Sequence, residues 1–296
     1  MGWKETGLHW YEHKYKVVML IPFILVLLAL IQIGVQYSMT GDFVHKGITL
    51  KGGSTITISV PEGVALTQLE SSLRSQFPTQ DVTVRTITST GRVIGFAIDS
   101  DAQKTEDINA LVATLKKEAS IKDGEYSVEI VGSSLGESFF KQTAMALLVA
   151  FLLMGIVVIL YFRLMIPSLA VILAAFSDIT VTLAIFNLTG VKLSTAGVAA
   201  FLMLVGFSVD TDVLLTTRVL KRKDGTVMDR VYGSVRTGLT MTTTVLAAVF
   251  VTLIFVNSDV IKQIMLILFI GLCVDMIMTW IQNVGILRIY LEKKKK

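Results

Sequence analysis

A single cysteine, Cys273, in 296 residues excludes an internal disulfide and any thiolate metal cluster. It falls in an apolar stretch and reads as a small residue facing lipid or a neighbouring helix. Histidine is nearly as scarce, with 3 in the chain. His9 and His13 stand four apart and could share a helix face beside Glu12. Their companions Trp3, Trp10 and Tyr11 make an aromatic and basic belt at a membrane surface the better reading. Neither a G-x-x-x-x-G-K-[ST] loop nor an H-E-x-x-H motif occurs, and no Cys/His group has metal-ligand spacing. Nothing here asks for a metal, a cofactor or an enzymatic centre. Charge is scarce as well, at 17% of residues against 53% hydrophobic. With a mean hydropathy of +0.68, the chain is too apolar for an ordinary soluble protein of this length.

What is present is long runs of apolar residues. Six windows of about twenty residues with hardly a charge lie near 17–35, 144–162, 168–188, 195–217, 238–256 and 263–287, each long enough to cross a bilayer as a helix. The first is too long, and too lacking in a small-residue cleavage site, for a removable signal peptide. It is expected to stay as an anchor.

The short loops fix an expected orientation, because Lys and Arg are retained on the cytoplasmic side. Lys4, Lys14 and Lys16 precede the first window and Arg163 separates the second from the third. Lys221, Arg222, Lys223, Arg230 and Arg236 lie between the fourth and fifth, and Arg288 and Lys293 to Lys296 follow the last. Only Lys192 and Lys262 fall in short loops on the other side. Both termini are therefore expected in the cytoplasm, and the net charge of +4 reads as a topology signal. The basic residues sit at span ends without interleaved aromatics, which argues against nucleic acid as a partner.

The sequence divides into a cytoplasmic segment 1–16, a first span 17–36, an outer domain 37–141, a five-helix membrane bundle 142–288 and a basic tail 289–296. The outer domain has its own pattern. Alternation over 55–60 predicts a strand, and 64–77 has helical spacing with Thr67-x-x-Glu70 as a capping box. Residues 82–87 and 93–98 alternate on either side of Thr90-Gly91 and predict a hairpin. Residues 105–119 are amphipathic and 126–131 predict a last strand. The order β-α-β-β-α-β is that of a ferredoxin-like α+β sandwich, a fold that hosts many functions.

Four carboxylates interrupt the apolar windows: Asp178, Asp210, Asp212 and Asp275. An acid at a helix centre in a bilayer costs about 2.5–3.5 kcal/mol even on the lenient scale, so each needs a partner, a proton or a water path. At about 100° per residue, Asp178 has Thr182 one turn on, and Asp275 shares a stripe with Thr279 and Gln282. Asp210 and Asp212 point to opposite sides, and Asp210 shares its stripe with Gly206 and Thr217. The fifth window opens with Arg236, Thr240, Thr243 and Thr244 on one side. That side is the expected counter-surface for the acids, with Arg236 reaching inward. Gly52-Gly53 reads as a flexible connection from the first span into the outer strand.

These residues carry a resemblance. Gly47-Ile48-Thr49-Leu50-Lys51-Gly52-Gly53 and the run Gly206-Phe207-Ser208-Val209-Asp210-Thr211-Asp212 resemble motifs of the SecD/SecF family of protein-export membrane proteins. Phe176-Ser177-Asp178-Ile179 and Arg236-Thr237-Gly238 followed by Thr240, Thr243 and Thr244 resemble its third- and fifth-span signatures. The likeness covers essentially the whole chain. The single compact outer domain is similar to the smaller branch of that family in its archaeal form, and less so to the larger SecD branch.

The resemblance implies an accessory subunit of the Sec translocon in the cell membrane. Its fold would be a six-helix half of an RND-superfamily transporter, with the outer domain between the first two helices. Implied partners are a SecD-like membrane protein, the translocon channel, an unfolded protein in transit and the lipid bilayer. Proton motive force would act through carboxylates where the two subunits meet. By position, Arg236 and Asp178 match family residues. Asp210 matches the acid position of SecD, Thr211 stands where bacterial relatives of the smaller branch carry their acid, and Ser177 replaces a usual histidine. Two other readings stay open: a non-transporting assembly subunit of the translocon, and a small-molecule exporter of RND type.

Overall fold

Only a helix satisfies its own backbone hydrogen bonds where water is absent, so each apolar window folds as one long helix. The computed structural model describes residues 14–59, 66–89, 92–119, 121–122, 124–222, 225–256 and 258–295. Among these, six helices are long and apolar enough to cross a membrane: Lys14–Thr40, Ser133–Phe162, Met165–Leu188, Thr195–Lys221, Val227–Phe255 and Asp259–Lys294. We number them spans 1 to 6. The residues around His9 and His13 lie outside the described part.

The ends follow local chemistry. The Ser194 side chain accepts from the Gly197 amide at the start of span 4, and Thr226 forms a reciprocal capping box with Asp229 at the start of span 5, satisfying amides a helix leaves open. Span 2 ends at Arg163, a non-glycine residue with φ of 55°, in the left-handed cap common at helix ends. Span 2 also starts earlier than its apolar window, at Ser133, because the helix continues through polar residues that the hydropathy window leaves out. Span 6 is not one uniform helix. Asp259–Ile277 and Val284–Lys295 are joined by a π-helical turn, Met278–Asn283.

Spans 3, 4 and 6 form the centre of the bundle. Their apolar windows are 61%, 50% and 50% buried, against 17% for each of spans 1, 2 and 5. One apolar cluster, with Phe186, Phe201, Leu204, Ile267 and Leu272, binds the three together. Span 1 packs Ala29 against Val181, Ala184, Val274 and Met278.

Between spans 1 and 2 the chain forms a short helix α1 (Ile48–Lys51), strands β1 (Gly53–Ser59), β2 (Thr83–Ser89), β3 (Arg92–Ser100) and β4 (Tyr126–Val131), and helices α2 (Leu66–Gln76) and α3 (Thr105–Glu118). The strands lie in the order β2-β3-β1-β4, with every neighbouring pair antiparallel. Period-two alternation turns Ile56, Ile58, Val84, Phe96 and Ile98 to one face, where Leu69, Leu73, Ile108, Leu111 and Leu115 from the two helices close a core. Thr67 sits inside α2 and is no cap, and Glu70 pairs with Arg74 at 2.7 Å instead. The expected turn at Thr90-Gly91 and the expected helix start at Val64 lie outside the described residues.

The glycine pair after span 1 is not a flexible connection. Gly52 and Gly53 have φ of 88° and 148°, a region that favours glycine. A Cβ on Gly52 would fall 2.6 Å from Ser133 Cα, and one on Gly53 2.3 Å from Ser100 O. The backbone is pressed between span 2 and β3, with no room for a side chain. The third motif glycine, Gly47, donates its amide to Leu193 O at 2.8 Å, tying the segment to the loop between spans 3 and 4. From that loop Lys192 Nζ reaches Asp81 at 2.7 Å and Thr83 Oγ1 at 2.9 Å.

Candidate functional site: a buried carboxyl row and an exposed acid face

Three of the four span acids meet inside the bundle. Asp178 on span 3, Asp212 on span 4 and Asp275 on span 6 each have no exposed surface. The Ser208 hydroxyl donates to Asp178 Oδ2 at 2.6 Å. Asp275 accepts from Thr279 Oγ1 at 3.0 Å and lies 3.2 Å from the Thr211 hydroxyl. Asn283 donates its amide to Asp212 Oδ1 at 2.7 Å, and Gln282 donates to Ser177 Oγ at 3.2 Å. Each acid thus has its own donors: Ser208 for Asp178, Thr279 and Thr211 for Asp275, and Asn283 for Asp212.

The π-turn makes this arrangement possible. Asp275, Thr279 and Gln282 share a face of any α-helix, but Asn283 would sit about 80° away from Asp275. A π-turn inserts one residue and turns later positions back by roughly 100°. Asn283 thereby comes round to face Asp212, while Thr279 and Gln282 keep their contacts.

The expected counter-surface is corrected by this geometry. The buried acids take their partners from spans 3, 4 and 6, and not from Arg236, Thr240, Thr243 and Thr244 on span 5. Those four residues are exposed on the outside of the chain. The Thr240 hydroxyl donates to Arg236 O and that of Thr244 to Thr240 O, each at 2.8 Å, so the hydroxyls are turned onto their own helix. Arg236, Thr237, Thr240, Met241, Thr244 and Val245 line an open cleft of about 600 Å³. Asp210 is exposed as well, and none of the ion pairs among the described residues involves it or Arg236. The opposed directions of Asp210 and Asp212 follow from their spacing, a turn of about 200°.

Sequence reasoning located the acids, Thr279 and Gln282, and missed Asn283 as a partner. It also passed over Ser208 as the donor to Asp178. Ser208 carries a readable signal, standing four residues before Asp212 on the buried side of span 4. Asn283 carries none, because its direction depends on the π-turn.

Residues 110–293 match the family described as "Protein export membrane protein SecD/SecF, C-terminal". The chain is 39% identical over 286 residues to the protein-export membrane protein SecF of Pyrococcus furiosus, covering 96% of this chain and 94% of that one. It is 37% identical to SecF of Methanothermobacter thermautotrophicus, covering 94% and 93%. Among solved structures it is similar to SecDF of Thermus thermophilus, described as translocon-associated, with a TM-score of 0.73 at 19% identity. That likeness covers 97% of this chain and 38% of the SecDF chain, so it bears on the fold alone.

Proposed function

Because the chain belongs to the SecF family of protein-export membrane proteins, we propose that it assists protein export beside a SecD-like membrane protein, with an ion gradient acting through its span carboxylates. The observation that carries this reading is the exposed position of Asp210. It lies near the middle of span 4, roughly 20 Å along the helix from Thr195, where an uncovered acid costs about 2.5–3.5 kcal/mol. Arg236 sits about 14 Å inside span 5, equally exposed, above a cleft lined with threonines. A second membrane protein packed against spans 4 and 5 would cover both groups, and a carboxylate at such a seam can bind and release a cation as the two chains move.

The rest of the arrangement fits that work. Loop lysines and arginines favour cytoplasmic termini and a domain of 37–141 outside the membrane. The strand order and antiparallel pairing suit a ferredoxin-like sandwich, carried on a bundle that serves as half of an RND-type transporter. In this reading the outer domain meets unfolded protein emerging from the translocon channel. The glycine packing and the Lys192 contacts hold it against the loops of the bundle.

Purification of the tagged chain from its native membranes tests the partnership. A SecD-like chain is expected in stoichiometric amount. Recovery of the chain without any such companion, in mild detergent and at native expression level, would overturn the reading.

A further inference from the structure

The outer domain is fastened to the bundle at two places of unequal strength. The first is where its chain enters and leaves. Gly53, the first residue of β1, stands opposite Val131, the last of β4, so the connections from span 1 and to span 2 lie side by side at one end of the sheet. Before the entry, Val44 and Leu50 belong to the apolar cluster of the bundle. His45 O accepts from the Leu193 amide at 2.6 Å, and the Gly47 amide donates to Leu193 O at 2.8 Å. The boundary between bundle and domain thus falls at Gly52 and Gly53 on the way in and at Gly132 on the way out. Close backbone contact of Gly52 with Ser133 fixes the place of the crossing, while Gly132 has open space where a Cβ would stand. Glycines at the ends of elements are able to absorb a backbone rotation.

The second place is the far edge of the sheet. The strand order puts β2 at the edge opposite β4. Thr83 pairs with Asp99, Asp99 with Thr55 and Thr55 with Glu129, so Thr83 lies at the same end of the sheet as the crossing, three strand spacings or about 14 Å from β4. There Lys192 Nζ meets Asp81 at 2.7 Å and Thr83 Oγ1 at 2.9 Å. The Lys192 and Asp81 side chains are 29% and 49% exposed. Among the described residues, the other ion pairs of the outer domain are internal to it or, like Lys51 and Asp101 at 3.8 Å, stand beside the crossing. The base of the Lys192 arm is firm. Gln263, near the start of span 6, donates Nε2 to Lys192 O at 2.6 Å and accepts from the Ser194 amide at 3.1 Å and from the Ser194 hydroxyl. Leu193 between them is buried in the bundle cluster, so the arm moves with spans 4 and 6.

We propose that the outer domain is a latched lever, pivoting at Gly52, Gly53 and Gly132 and caught at its far edge by Lys192, which Gln263 mounts on span 6. Latched, the sheet is held at both edges. With the Lys192 contacts broken only the crossing remains, and the β2 edge swings away from the 192–194 loop. An ion pair this exposed, on a long side chain, is weak. It is also screened by salt, over about 10 Å at 0.1 M and about 3 Å at 1 M. The crossing, made of backbone contacts and buried apolar groups, is far less sensitive, so the latch is the part that opens first. Both states belong to the chain alone. The lever therefore needs neither a partner nor an ion gradient and goes beyond the proposed function.

Pulsed electron paramagnetic resonance on the full-length chain in lipid nanodiscs tests this. Spin labels go on Thr79→Cys, beside the β2 edge, and on Ser258→Cys, at the start of span 6, both exposed, with Cys273→Ala to remove the native thiol. A main distance and a minor longer one are expected. Lys192→Ala should raise the longer population about two- to fivefold. Asp81→Asn should do the same, and the two together no more than either alone, because they break one contact. Raising salt from about 0.05 M to about 1 M should lengthen the distance in the parent chain and much less in Lys192→Ala, a readout that needs no variant of the latch to fold. The amides of Ile56 and Ile98 in the sheet should stay protected from hydrogen exchange throughout. An unchanged distribution in Lys192→Ala, an equal response to salt with and without Lys192, additive effects of the two variants, or longer distances that come only with loss of that protection would each overturn the lever. Unchanged export in an Asp210→Asn strain would instead sink the proposed function and leave the distance result standing.

Discussion

Asp212 and Asp210 stand two residues apart on span 4 and meet opposite surroundings. Asp212 is fully buried and accepts from Asn283, while Asp210 lies on the outer surface with Arg236 and its threonines also exposed. The inner acids are answered within the chain by hydroxyls and a carboxamide. The outer acid has its answer, in our reading, on another protein. A carboxylate in a membrane span therefore carries two separate meanings, and the direction of its side chain decides between them. In our reading the inner groups support the fold and the outer groups serve the partner.

That comparison can be broken in several ways, beginning with the inner side, where stability effects are expected to be largest. Asn283→Leu removes the donor to Asp212 and leaves a buried acceptor unpaired, so it should lower stability by about 1–3 kcal/mol, read as a lower melting temperature of the isolated chain in detergent. Asp210→Asn, two residues from Asp212, should change that melting temperature by no more than about 0.5 kcal/mol equivalent. Equal losses from the two would erase the distinction between inner and outer acids.

Arg236→Leu sharpens the outer half. The isolated chain should melt as before, within about 0.5 kcal/mol. The rise in melting temperature on adding a SecD-like partner should be smaller, since a ligand that binds the folded state stabilises it in proportion to its affinity. An undiminished rise would show that Arg236 does not face the partner. The smallest effects belong to Thr240→Val and Thr244→Val. Their hydroxyls are turned onto their own helix carbonyls, so each change should stay within about 0.5 kcal/mol in the same melting experiment. A larger loss would mean that these hydroxyls hold something more than their backbone.

The contrast also explains what could be read in advance. Span positions were legible because twenty apolar residues have few alternatives to a membrane helix. The β-α-β-β-α-β order was legible because Ile56 and Ile58 keep a period of two while Ile108, Leu111 and Leu115 keep a helical one. The inward turn of Asp178 and Asp275 was suggested by Thr182, Thr279 and Gln282 on their own faces. The partner of Asp212 was not legible, because the π-turn at Met278–Asn283 shifts the face of Asn283 and no residue type marks it. Nor was the outward face of span 5, since Arg236 and its threonines fit an inner or an outer seam equally well. Gly52 and Gly53 were misread as a flexible connection because tight backbone packing and flexibility use the same residue. Only the nearness of Ser133 and Ser100 distinguishes the two.

The most direct test of the account is the rate of protein secretion in cells whose only copy carries Asp210→Asn, measured alongside recovery of the partner complex. The account predicts that secretion falls about tenfold or more, equivalent to about 1.4 kcal/mol, while the chain stays folded and still copurifies with its SecD-like companion. Secretion at the unaltered rate, with the variant folded and partnered, would contradict it.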